Sequence, residues 1–252
     1  MPTSRKRHQT ELVSCIMATK NRGRFIPQAL RCFSRQSYRN SELIVVDDGE
    51  ESVADLCCGI PRVRYVRITC PIYLGTKLNI GIEIARGDIL QKLDDDDYYS
   101  PDFLNLAVTR LLSGTGERLV VAWDCFLVLF AGDPCLRYSG HGWQAGGTLC
   151  FHRKLWERRP FRDLPKSVDH CFLVDHKPTL LPVCEARHYV LVRHGANVWN
   201  EMKGGETTNS FLGRRSPSRW PLEEVVHPDD VAFYRSLTWQ SKSDLRLKPD
   251  IR

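Results

Sequence analysis

Between positions 12 and 112 the chain alternates short β-branched runs with stretches of helical period, which constrains it to parallel strands joined by helical crossovers. Strands are predicted at 12–18 (LVSCIMA), 42–48 (ELIVVDD), 63–69 (VRYVRIT) and 88–93 (DILQKL). Helices are predicted at 25–36, with Pro27 tolerated in the first turn, and at about 76–86, with Leu78, Ile82 and Ala85 on one face and Gly87 as its stop. A further helix at 100–112 has Ser100 as cap and Pro101 opening it. Beyond it, one long strand is expected at 119–130, a strand then a helix at 146–157, a strand at 188–194 and a helix at 228–237. The later strands are expected to complete the sheet and receive a second substrate.

Composition narrows the class without naming a partner. The 252 residues suit one α/β domain or one and a half, and 42% hydrophobic with 26% charged residues is ordinary for a globular protein. No apolar stretch approaches the roughly 20 residues that span a bilayer. The start MPTSRKRHQT is followed by a strand pattern rather than a signal segment, which predicts an intracellular, cytoplasmic chain. Its Arg5, Lys6 and Arg7 are expected to form a disordered arm or to touch anionic lipid peripherally. Ten scattered cysteines, several in strand-like runs (Cys15, Cys125, Cys150, Cys184), predict buried thiols rather than a disulfide framework. A net charge of +6 fits an acidic ligand, an anionic surface or plain solubility, and no nucleic-acid partner is expected.

The run Asp94, Asp95, Asp96, Asp97 directly follows the predicted strand 88–93. Open α/β sheets bind ligands outside the carboxyl ends of their strands, where Asp47 and Asp48 also fall. Neighbouring carboxylates about 6 Å apart repel by roughly 3 kcal/mol at an effective dielectric near 20, but by under about 1 kcal/mol in water. A buried run therefore requires a partner, while a solvated turn does not. Mg2+ or Mn2+, which takes one or two carboxylates and leaves positions for a diphosphate and water, suits such a run. An EF-hand would need spaced ligands, a central Gly and a terminal Glu that are missing here.

The ordered set VSCIMATKNR, ELIVVDDGEES, NIGIEIARGDIL and LDDDDYYSPDFL, followed more loosely by VDHCFLVD and RHGANVWN, resembles the inverting family 2 glycosyltransferases. The resemblance covers about 12–200 and implies the GT-A nucleotide-sugar-binding fold: α/β, a mostly parallel central sheet with flanking helices. It further implies metal-dependent, hexosyltransferase-type transfer from a nucleotide-sugar donor to a saccharide or other hydroxyl acceptor, with inversion.

On that resemblance, Thr19, Asp47 and Asp48 contact the nucleotide base, and an aspartate accepting from a ring imide NH favours uridine, hence a UDP-sugar. The bland reading of Asp47-Asp48-Gly49 is a strand-ending turn. Lys77, Arg22 and Arg24 would face phosphate or are otherwise surface residues, and Asn79 would lie near the donor. Asp94 and Asp96 form the Asp-x-Asp pair, with Asp96 nearest the Mn2+ or Mg2+, Asp94 supporting it, Asp95 bonding the ribose and Asp97 mattering least. His194 is a further candidate metal ligand or, alternatively, a structural histidine. The catalytic base is expected at Asp169, although Val168 stands where the family commonly carries an acidic residue, which keeps His170 and Asp175 in play; otherwise Asp169 caps a helix. In HGWQAGGTL, Trp143 would stack on a sugar while Gly146 and Gly147 let the backbone approach; the alternative is a glycine turn beside a core Trp.

The expected layout is therefore a basic arm at 1–10, a donor half at 11–112, an acceptor and catalytic half at 113–200, and a C-terminal extension at 201–252 with no assigned chemistry. Two other readings stand beside this one. A sugar-phosphate nucleotidyltransferase would carry a Gly-rich basic loop after the first strand, whereas MATKNRGRF has one Gly. A non-catalytic nucleotide-sugar-binding module would keep the same acidic groups.

Overall fold

The structure is a computed structural model that describes residues 11–200 and 205–239. The basic arm at 1–10 lies outside the described residues. The first half runs β1 (Val13–Thr19), α1 (Ile26–Ser34), β2 (Ser41–Asp47), α2 (Ala54–Cys57), β3 (Val63–Arg67), α3 (Leu74–Ile84), β4 (Ile89–Leu93), β5 (Tyr98–Tyr99) and α4 (Phe103–Ser113). The second half adds β6 (Leu119–Trp123), β7 (Leu127–Phe130), β8 (Arg137–Tyr138), β9 (Cys150–His152), α5 (Arg153–Arg158), α6 (Val168–His176), β10 (Thr179–Val183) and β11 (Tyr189–Arg193). Three short helices close the described chain: α7 (Thr208–Gly213), α8 (Leu222–Val225) and α9 (Pro228–Arg235).

Seven strands form one sheet in the order β10-β6-β9-β4-β1-β2-β3. Only β9 runs antiparallel, between β4 and β6, so the sheet is mostly parallel, as expected. Side chains alternate across β1: Cys15 and Met17 join a core with α1 and α4, while Ile16 faces the other way onto Leu78 and Ile82 of α3. Each fully buried Leu or Ile contributes about 1.5–3 kcal/mol relative to exposure. The register sets Thr19 opposite Asp47 and Met17 opposite Leu93, so β1, β2 and β4 end together. A second sheet, β5-β11-β7-β8, stands beyond those ends.

Four sequence expectations are corrected. The run 119–130 is two strands in two different sheets, broken at 124–126; an apolar run without alternation carries no mark of a bend. The helix expected at 76–86 is Leu74–Ile84, because the backbone leaves it early for Arg86 N to reach Glu42 Oε1 and Gly87 N to reach Ser14 Oγ. Ser100 does not cap α4; its hydroxyl pairs with His188 Nδ1 at 2.6 Å, and the helix starts at Phe103. Of the cysteines read as buried, Cys15, Cys125 and Cys150 are, but Cys184 is exposed; all ten are free thiols. Among the described residues no helix is long and apolar enough to cross a membrane.

Candidate active site at the strand ends

The acidic run leaves β4 and divides. Asp95 Oδ2 accepts from Thr19 Oγ1 at 2.6 Å and its Oδ1 from Arg22 Nη1 at 2.7 Å. The same Arg22 nitrogen donates to Asp96 Oδ2 at 2.8 Å, where His194 Nε2 (2.9 Å) and Asn197 Nδ2 (3.2 Å) converge. Asp94 turns to Lys92 Nζ at 2.6 Å, and Lys92 Nζ also lies 3.5 Å from Asp169 Oδ2. Asp97 points away from these groups and accepts from Tyr189 Oη at 2.6 Å and Val192 N at 2.8 Å. The sequence pairs Asp94 with Asp96 at a metal; in the fold Asp94 meets Lys92, while Asp96 meets Arg22 and His194. Lys92 draws Asp94 toward Asp169, and Asp95 rather than Asp94 shares Arg22 with Asp96.

Proton affinities follow from this division. Burial alone would raise Asp96, but Arg22 and His194 outweigh it and bring its pKa to about 2. Burial dominates at Asp95, and at Asp97 burial together with Asp96 and Asp94 pushes the carboxyl well up. At Asp169, burial and Asp94 outweigh the opposing Lys92 charge and raise the pKa to about 6, and Oδ1 is buried without a hydrogen-bond partner. An acid poised near the working pH with one oxygen free is suited to accept a proton.

Gly146 and Gly147, in a short 3-10 turn, separate the two carboxylates. A Cβ on Gly146 would lie 2.5 Å from Asp169 Oδ2, and one on Gly147 would lie 2.6 Å from Asp94 Oδ2. Only glycines allow both acids to approach one stretch of backbone.

Cis ligands about 2.1 Å from an octahedral metal sit roughly 3 Å apart, and Asp96 Oδ2 and His194 Nε2 are separated by 2.9 Å. Arg22 supplies the positive charge there.

Other expected contacts fall differently. Asp47 is fully buried; Gly49 N takes Oδ1, while Val53 N, Tyr65 Oη and Arg67 Nη1 take Oδ2. Despite burial, these donors hold its pKa low, and its oxygens hold the loop. Asp48 bonds Lys77 Nζ (2.6 Å) and Ile72 N (3.0 Å), so Lys77 is committed to a buried ion pair rather than to a free phosphate contact. Asn79 is turned into the protein, donating to Phe161 O and accepting from Trp156 Nε1 and Phe161 N, and it clamps α3 to α5 and the segment after it. Trp143 packs edge-on to Phe126, Trp199 and Phe211 and lines a cavity beside Asp124. Arg24 lies over the Phe25 ring, His170 is exposed, and Asp175 is held by Arg162 and Arg159, so neither alternative base faces Lys92.

Lys92, Tyr99, Tyr189 and Asn197 did not stand out in the sequence. Lys92 had a usable signal, a lysine inside a strand whose five residues are all buried. Tyr99 had none: its Oη accepts from Asp94 N and donates to Gly147 O, a link made only by folding.

Residues 14–124 match the model of the family described as Glycosyl transferase family 2. This stretch is similar to glycosyltransferase family 2. Among curated relatives, the amylovoran biosynthesis glycosyltransferase AmsB of Erwinia amylovora is 32% identical over 120 residues, covering 44% of this chain and 40% of the relative. The putative colanic acid biosynthesis glycosyl transferase WcaA of Escherichia coli is 32% identical over 103 residues, covering 38% and 36%. The chain thus spans well under half of these relatives' own length. Two solved structures share the fold. S. aureus TarS 1-349 in complex with UDP-GlcNAc superposes with a TM-score of 0.59 at 15% identity, over 73% of this chain and 59% of that one. The mannosyltransferase PcManGT from Pyrobaculum calidifontis, in complex with GDP-Man and Mn2+, gives 0.56 at 18%, over 73% and 58%. The chain accordingly has the GT-A type fold anticipated from its sequence.

Proposed function

We propose that this chain transfers a sugar from a UDP-sugar to an acceptor hydroxyl with inversion, assisted by Mn2+ or Mg2+. The observation that carries the reading is Asp169, raised to about 6 and with one oxygen free, facing Asp94 across Lys92 and the Gly146-Gly147 turn. Single in-line displacement needs a base on the side of the anomeric carbon opposite the leaving diphosphate, and Asp169 is the base in this scheme. Asp96 and His194 would hold the divalent cation, whose Lewis acidity stabilises charge on the leaving diphosphate. Arg22, shared between Asp95 and Asp96, would contact the phosphates. Asp94 and Lys92 would position the donor sugar, and Thr19 and Asp95 its ribose. UDP as the nucleotide rests on the resemblance to family 2 and on the TarS complex; PcManGT is solved with GDP-Man.

Calorimetry with UDP, with and without Mn2+, tests the reading. UDP should bind only with Mn2+, and Asp96→Ala should abolish that binding. Tighter binding of GDP would reassign the base, and no binding of either nucleotide would remove the proposal. Metal-dependent binding without hydrolysis or transfer over a broad acceptor panel would favour the binding-module reading.

A further inference from the structure

We propose that Asp124, His141 and Cys184 form a separate site for a zinc-like divalent cation on the acceptor side of the sheet. Asp124 follows β6 and Cys184 follows β10, two parallel strands whose last registered pair is Trp123 and Val183. Asp124 N bonds Val183 O at 3.0 Å, fixing the two strand ends, and His141 arrives from the loop between β8 and β9. One ligand atom from each residue falls within 4.8 Å of the others. Gly142 N takes Asp124 Oδ1 at 2.8 Å, which leaves Oδ2 facing His141 Nδ1 at 2.5 Å and Cys184 Sγ at 3.8 Å.

Tetrahedral zinc, with oxygen and nitrogen at about 2.0 Å and sulfur at about 2.3 Å, spaces its ligands roughly 3.3–3.5 Å apart. The observed 2.5 and 3.8 Å bracket that spacing, and His141, with 61% of its side chain exposed, has room to adjust. The thiolate selects zinc over magnesium, calcium and manganese, which separates this site from the carboxylate and histidine set at Asp96, which has no thiolate. A thiolate and a carboxylate would neutralise the cation. Catalysis by the thiol alone is disfavoured, because burial and Asp124 push Cys184 upward rather than toward thiolate.

Three protein ligands leave a fourth position for water or a ligand oxygen. A cavity of about 200 Å³, lined by Asp124, Gly142, Trp143, Leu180 and Pro182 among others, opens beside it. Bound zinc would tie the loop that carries Trp143 to the ends of β6 and β10 and present its open position to a hydroxyl or carboxylate in that cavity.

Titration of the whole chain, stripped with a chelator, with Co2+ as a spectroscopic probe tests the site. One equivalent should produce a sulfur-to-cobalt charge-transfer band that Zn2+ displaces. Cys184→Ser and His141→Ala, both at exposed positions, should lose the band and weaken binding by at least about 10–100-fold. A triple variant of the exposed thiols Cys58→Ser, Cys70→Ser and Cys135→Ser should keep it. Mn2+ at the acidic run gives no thiolate band, so the two metal readings succeed or fail independently. Absence of the band in the parent chain, or its persistence in Cys184→Ser with circular dichroism unchanged, would overturn the proposal.

Discussion

Lys92 is the residue on which the site turns, because its one ammonium, only 5% exposed, serves both Asp94 and Asp169. Burial would lower its pKa, but Asp169 and Asp94 raise it, so it stays charged and holds the pair together. Asp169→Asn should leave UDP binding intact and lower turnover by roughly 10²- to 10⁴-fold, the usual range for loss of a general base, as read by donor calorimetry beside single-turnover rates. In the parent enzyme kcat/KM should rise with pH through about 6 as Asp169 loses its proton. Stability runs the other way. An acid raised from 3.8 to about 6 by folding favours the folded state below pH 4, and that contribution is lost as pH climbs through 6. Asp169→Asn should therefore be more stable than the parent at pH 8, by up to about 3 kcal/mol at 1.36 kcal/mol per unit, with the gain absent below pH 4 in urea titrations. At the neighbouring turn, Gly147→Ala sets a methyl 2.6 Å from Asp94 Oδ2 and 3.1 Å from the Tyr189 and Tyr99 hydroxyls. It should cost about 1–3 kcal/mol in urea unfolding and weaken donor binding more than Gly213→Ala, which meets nothing within 4 Å.

At the scale of elements, the short α9 reaches the site although the sequence offered no chemistry for it. Its Asp230 is fully buried and accepts from Arg31 of α1 at 2.9 Å and also from Arg35. On the next turn Tyr234 packs edge-on against Tyr98, and its hydroxyl points to Asp97 O at 3.5 Å. The helix thereby braces the backbone just beyond the acidic run. Asp230→Ala should cost on the order of 2 kcal/mol, less than a fully buried pair because Arg31 and Arg35 keep contact with water. The same variant should lower UDP affinity without removing its metal dependence. Stability lost with UDP affinity unchanged would show that α9 supports the fold but not the site.

For the whole molecule, a ligand that binds only the folded chain stabilises it by mass action. UDP with Mn2+ at a hundredfold excess over Kd should add about 2.7 kcal/mol, a rise in Tm of roughly 5–10 °C, with little effect from either component alone. The shift should disappear in Asp96→Ala. The 113–200 stretch adds β6, β9 and β10 to the sheet begun by the 11–112 stretch, so the heat capacity trace should show one transition that moves as a unit.

The local pattern of residues by itself determined the crossover topology, the placement of Asp94 to Asp97 at a strand's carboxyl end, and the resemblance that pointed to Asp169 and His194. Each rests on periodicity or on adjacency, and both survive in a linear string. Tertiary structure alone decided how the four aspartates divide, because each is claimed by a partner far along the chain: Thr19 and Arg22 for Asp95, His194 for Asp96, Tyr189 for Asp97. It likewise surrounded Asp47 and Asn79 with internal donors and acceptors. It also brought Asp124, His141 and Cys184 together, from a strand end, a loop and a second strand end that no spacing in the sequence relates. Electrostatic and hydrogen-bond partners act over a few ångströms in space, and only the packed sheets bring residues so distant in sequence that close.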